Sequence, residues 1–190
     1  MSSSHNRSKA VIHQHTGTDD CQHVTQTSFD QLELDILQIA RLIFLSFHHP
    51  ETYAWVNAFN IAEQRYEKPY GATIANAVVT TVNAVCGARG SGLRYHDPHC
   101  LICQEYVTPD EKFFVGALHE LRLGKKLSAR THLMHLCEGL DECATFEAMG
   151  KLTQIIADYY ADKSEETKSF NTTIKYCLLY TSPSPRDFEA

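Results

Sequence analysis

The chain has 190 residues, 43 % of them hydrophobic, and a formal net charge of −6. That length and composition suit one domain with its own core. The negative balance argues against a general nucleic-acid coat, which needs a basic surface to release counterions; no apolar run is expected to reach the length of a bilayer span, and the polar start Met1-Ser2-Ser3-Ser4-His5 shows no secretory signal.

The expected setting is therefore the cytoplasm, with no membrane contact and with reduced or metal-bound thiols. In chain order, residues 1–27 are rich in Ser, Thr, Gln and His and lack apolar periodicity. They read as a disordered polar arm. His5, His13, His15, Cys21 and His23 could gather a metal loosely there, but a flexible arm with incidental histidines is the preferred reading. Order is expected from Ser28, where Ser28 and Gln31 match a capping box. Leu32, Ile36, Ile39, Ile43 and Phe47 then recur at helical spacing, widened by Leu34, Leu37, Leu42 and Leu45, so this first helix should be central.

His48-His49-Pro50 stops that helix, and Pro50 suits the first turn of a second through Trp55, Phe59, Ile61 and Ala62. Trp55, Phe59, Tyr53, Tyr66 and Tyr70 are expected in the core, or on a partner-binding face if the helix lies at an edge. After the break at Lys68-Pro69-Tyr70-Gly71, Ile74, Val78, Val82 and Val85 mark a third helix from about Ala72 to Ala88. Thr108-Pro109-Asp110-Glu111 starts a fourth, with Thr108 as cap, Pro109 at the first position and Glu111 completing the box. Gly124 closes it. A fifth helix from Ser128 ends at Gly139. Asp141 caps a sixth, carried by Phe146, Met149, Leu152, Ile156 and Tyr159. The expected fold is all-α, about six short helices in an irregular or orthogonal bundle over residues 28–163, followed by a polar tail at 164–176.

Residues 177–190 break with the rest. Cys177-Leu178-Leu179-Tyr180-Thr181-Ser182-Pro183-Ser184-Pro185-Arg186-Asp187 has no helical period and resembles the translation of a transposase-style sequencing adapter. The resemblance implies non-native sequence there, removes Cys177 from the cysteine count, and points to metagenomic assembly from a bacterial source.

The chemistry of the chain concentrates in His96-Asp97-Pro98-His99-Cys100-Leu101-Ile102-Cys103, between the third and fourth helices. Cys-x-x-Cys spacing lets one turn of backbone aim two sulfurs at a single zinc ion, which takes four tetrahedral ligands. Cys100 and Cys103 would be two; His96 and His99 are the near candidates for the others, and His132 and His135, i,i+3 on the fifth helix, the more distant ones. Cys86, Cys137 and Cys143 read as small core residues. Two other readings compete: a thiol–disulfide switch at the same pair, although the βαβ context of thioredoxin-like motifs is missing, and two thiols packed in an ordered loop.

His119 falls opposite Phe114, Leu118 and Leu121 and should be solvated surface. The carboxylates Glu63, Glu111, Glu120, Glu138 and Glu142 lie near caps or on polar faces. No nucleophile elbow, P-loop or dinucleotide fingerprint is present, and His119-Glu120 does not extend to H-E-x-x-H. Arg122, Lys125, Lys126 and Arg130, with His132 and His135, form the main basic concentration, and Arg89 and Arg94 could join it in space. It could accept a phosphate or an acidic partner. The expectation is a non-catalytic binding or regulatory protein with a protein partner and a structural zinc at Cys100/Cys103. Nucleic acid is not the expected partner. The alternatives are a redox switch at that pair and anion or nucleic-acid binding by the Arg122–His135 hairpin.

Overall fold

The structure, a computed structural model, describes residues 20–180, with backbone alone beyond residue 165. His5, His13 and His15 of the amino-terminal arm, and the adapter-like residues from 181 onward, lie outside the described residues.

Asp30 opens the first helix. Its carboxylate accepts the Glu33 amide at 2.9 Å, and the Glu33 carboxylate accepts the Asp30 amide at 2.9 Å. This capping box replaces the one expected at Ser28 and Gln31, because two carboxylates at a helix start also meet the positive end of the helix dipole. Helix α1 then spans Gln31–His48. Ile36, Ile39, Ala40, Leu42, Ile43 and Phe44 are all essentially inaccessible, so α1 is the centre of the bundle, as its wide apolar stripe predicts.

A 3-10 turn at Pro50–Thr52 leads to α2, Ala54–Tyr66. Its buried face is Ala54, Ala58 and Ala62, three small side chains at a spacing of four, followed at the same spacing by Tyr66. Helix α3, Tyr70–Ala88, follows closely. A Cβ at Gly71 would stand 2.5 Å from the Glu63 Cα, so only glycine lets α3 start this near α2. Helix α3 corrects one sequence expectation. It has 19 residues, with mean hydropathy 1.3 over an 18-residue window, and so is long and apolar enough to cross a membrane by length and composition. In this structure it packs against α6, α2 and α1, and a helix with neighbours on several sides needs apolar residues on several faces.

Helix α4 spans Pro109–Arg122 and starts as expected: Thr108 accepts the Glu111 amide at 3.1 Å and Glu111 accepts the Thr108 amide at 2.8 Å. Gly124, with φ +75°, turns the chain into α5, Lys126–Leu136, which forms a hairpin with α4. Helix α6 spans Cys143–Tyr180. It runs well past residue 163, where the polarity of the sequence suggests an end. No Gly or Pro interrupts the chain there, and Glu165, Glu166 and Lys168 are good helix formers.

The boundary at Ser28 also moves back. Strand β1, Gln22–His23, pairs antiparallel with β2, Tyr106–Val107, in the register Gln22 with Val107 and His23 with Tyr106. Val107 is fully buried, and Val24 and Phe29 pack on the core, which ties residues 22–29 to the bundle. The architecture is all-α: six helices and one two-residue ribbon among the described residues, with the Cys100/Cys103 loop between α3 and α4.

Candidate functional site

The segment joining α3 to β2 carries the cysteine pair, and a buried ion pair mounts it on the bundle. Arg41 on α1 donates from Nε to Glu111 Oε1 at 2.7 Å and from Nη2 to Glu111 Oε2 at 2.9 Å. Both side chains are almost wholly inaccessible, at 2 % and 0 %. The remaining bonds of the pair reach into the loop: Arg41 Nη2 donates to the Tyr106 carbonyl at 2.5 Å, and Glu111 Oε1 accepts the His96 amide at 2.9 Å. Gln38 and Gln104 both donate to the Pro98 carbonyl, at 3.2 and 2.6 Å. Composition alone did not single out Arg41 or assign Glu111 this role. Their signal was charge at core spacing, Arg41 lying eight residues from Glu33 inside an apolar stripe.

On this mount, Cys100 and Cys103 are adjacent and partly buried. The Cys103 amide points at Cys100 Sγ from 3.4 Å. Donation from the Cys103 thiol, then from its amide, holds the Cys100 thiol below the ordinary cysteine value. Burial, then the hydrogen bond to Cys100, pushes the Cys103 thiol up to about 11. Cys100 is thus the more acidic thiol and Cys103 the proton donor beside it. The two residues between them, Leu101 and Ile102, are 80 % and 60 % exposed at the tip of the loop.

The candidate third and fourth metal ligands do not assemble around these sulfurs. Among the described residues, no three of His, Cys, Asp and Glu stand close enough together to hold a metal ion. His96 is partly buried, with its amide on Glu111, and His99 is exposed, with its amide on Asp97. His132 rests over Gly116 of α4, and His135 stacks on Phe113 at 5.0 Å. Of the cysteines expected in the core, Cys137 is fully buried against Thr145 and Cys86 is partly buried, but Cys143 is exposed. Cys143 is the first residue of α6, where its amide caps on Asp141 at 2.9 Å. Trp55 and Tyr53 also depart from the core reading, at 49 % and 66 % exposed. They flank the start of α2, whose inward face is taken by the alanine row.

The basic residues of the α4–α5 hairpin are largely engaged. Arg122 binds Asp30 Oδ2 at 2.7 Å and Glu33 Oε1 at 2.5 Å. Lys125 lies 3.6 Å from Glu120, and the Arg130 guanidinium sits over the Phe146 ring at 5.0 Å. Lys126 is exposed. Arg89 is 5 % exposed and is held by Asp110, Glu138 and the Leu136 carbonyl, so it faces inward rather than toward the hairpin surface.

His119 corrects the expectation of a solvated side chain. Its Nδ1 stands 3.0 Å from Oε1 of Glu33, which is completely buried. A carboxylate only accepts, so the imidazole is held with its proton on Nδ1. This pairing joins residues 86 apart and needs α1 and α4 to be packed before it exists. Comparisons with known protein families, with curated proteins and with solved structures return no match.

Proposed function

We propose that this is a non-catalytic helical binding or regulatory protein whose Cys100/Cys103 loop acts as a thiol–disulfide switch. The observation that carries this reading is the contact between the two sulfurs: a more acidic Cys100 held beside the proton-donating Cys103. Thiolate is the attacking species in disulfide exchange, so such an asymmetric pair has a defined attacking sulfur. Leu101 and Ile102, exposed between the thiols, give a protein partner an apolar contact whose shape the bond would change.

The zinc reading of the same loop has less support. It asks for four ligands, and two sulfurs are what the loop brings together. Anion binding at the hairpin is weakened in the same way, because Arg122 and Lys125 already face carboxylates.

The test is equilibration with glutathione disulfide in a buffer poised at about −180 mV, followed by alkylation and peptide mass mapping. The expected reaction joins Cys100 Sγ to Cys103 Sγ, with the two thiol protons and two electrons passing to glutathione disulfide, which leaves as two glutathione thiols. Cys100→Ser should abolish it. Both thiols remaining alkylatable would overturn the switch. Near one zinc per chain in protein purified without added metal, lost in Cys100→Ser, would replace it with a structural metal site.

A further inference from the structure

Where α1, α2 and α3 meet, the bundle leaves an apolar groove of about 300 Å³, lined by Ile43, Ser46, Phe47, Pro50, Trp55 and Val79. Ile43 is buried and Val79 half-buried, whereas Phe47 and Trp55 are 44 % and 49 % exposed. The groove thus runs from the core outward to two aromatic rings.

Two contacts fix the wall at Trp55. Its amide donates to Ser46 Oγ at 2.6 Å, so α1 caps the start of α2, where Tyr53 supplies no side-chain cap. Its indole stands edge to face against Phe59 at 6.2 Å, and Phe59 packs on the core. Tyr53 itself has φ +50°, in the left-handed region that a bulky side chain seldom adopts. Backbone strain of that kind clusters at ligand sites.

The lining selects among ligands. None of its six side chains is charged, and the nearby His49 and Glu51 face each other at 3.2 Å. A charged ligand would leave water and meet no counter-charge there. The polar side-chain groups of the lining are the Ser46 hydroxyl and the Trp55 indole N–H, both donors. Ser46 Oγ already accepts the Trp55 amide, and among the described residues neither hydrogen is paired with an acceptor. A pure hydrocarbon would displace water from these donors and return nothing, whereas a carbonyl oxygen would accept from them.

The groove is also of small-molecule size. Phe47, Tyr53, Trp55 and Val56 are the exposed large apolar side chains here, too few for the roughly 20–30 residues a side of a stable protein interface. We propose that this groove binds an uncharged, mainly apolar small molecule bearing a carbonyl oxygen, flanked by Phe47 and Trp55, with Ser46 as a donor to the carbonyl.

Trp55 is the one tryptophan of the chain, so its indole N–H gives a single NMR resonance. The experiment follows that resonance while the full chain is titrated with 1-indanone. Indane, 1-aminoindane and indane-1-carboxylate share the skeleton and serve as the oxygen-free, cationic and anionic controls. The expected result is a saturable shift with a Kd of about 1 mM or tighter. The two charged analogues should bind roughly tenfold more weakly, and Phe47→Ala should weaken 1-indanone roughly fivefold. Thermal unfolding of that variant checks that its fold is intact. No saturable shift, or equal affinity in Phe47→Ala, would overturn the site. Indane binding as tightly as 1-indanone would overturn the carbonyl assignment, and a charged analogue doing so would overturn the uncharged class. A shift that follows protein concentration without ligand would replace the small molecule with a second copy of the chain.

Discussion

Arg41 and Glu111, 70 residues apart, meet in a two-pronged ion pair from which water is excluded. The pair also holds backbone at Tyr106 and His96, on either side of the cysteines. It is therefore the joint between the core and the reactive loop. Burying two charges is costly, and the pair persists because almost every remaining donor and acceptor finds a partner.

Removing one member should strand the other. Arg41→Met is expected to lower the unfolding free energy by about 3–5 kcal/mol, measured by urea denaturation. Arg41→Met/Glu111→Gln removes both charges and keeps an acceptor for one of the two amides, Thr108 or His96, that Glu111 holds, so it should lose less. A double variant as unstable as the single one would show that packing of the Arg41 stem, rather than its charge, is what matters.

The two thiols should differ in reactivity. Cys100 is expected to alkylate with iodoacetamide faster than Cys103 near neutral pH, because its hydrogen bonds from Cys103 favour thiolate while Cys103 is pushed up to about 11. Cys103→Ala should slow Cys100 toward the rate of an ordinary cysteine. Equal rates at the two positions would mean that the asymmetry is absent in solution.

Gly116 and His132 should be coupled. Gly116→Ala gains about 1 kcal/mol of helix propensity, but its new methyl meets the His132 ring at 2.9 Å and overpacking costs about 1–3 kcal/mol. In wild type the substitution should be neutral to destabilising; with His132→Ala it should stabilise by about 1 kcal/mol. A double-mutant cycle of thermal unfolding measures this, and an additive cycle would deny the contact.

Asp30 should contribute acid sensitivity. Burial alone would raise its carboxyl, but the Glu33 amide and Arg122 outweigh that and hold it below 3.8. A carboxyl depressed in the folded state stabilises fully above its unfolded value and loses that contribution as pH falls through the folded one. Asp30→Asn should therefore be less stable than wild type near neutrality and converge with it below the folded pKa. A gap unchanged by acid would mean that the carboxylate charge is not involved.

Much of the helical plan was legible because its causes are local. The box at Thr108 and Glu111, Pro109 at the first helical position, and the stripe from Ile36 to Phe44 act within a few residues, and the fold has them. The first cap was misplaced by two residues because Ser28/Gln31 and Asp30/Glu33 both match a box, and only the second set of side chains closes. The cysteine pair was visible for the same reason of short spacing.

His119, Arg122 and Arg89 were not legible in this way. Their polarity in the sequence suggested solvent, yet each meets a carboxylate on a distant element: His119 and Arg122 at Glu33, and Arg89 at Asp110 and Glu138. Sequence by itself determined where helices begin, which stripes are apolar and where two thiols share a turn, since those depend on neighbours a few bonds away. Only the tertiary structure decided which charges are buried against each other, because that pairing forms when helices far apart in the chain exclude water between them.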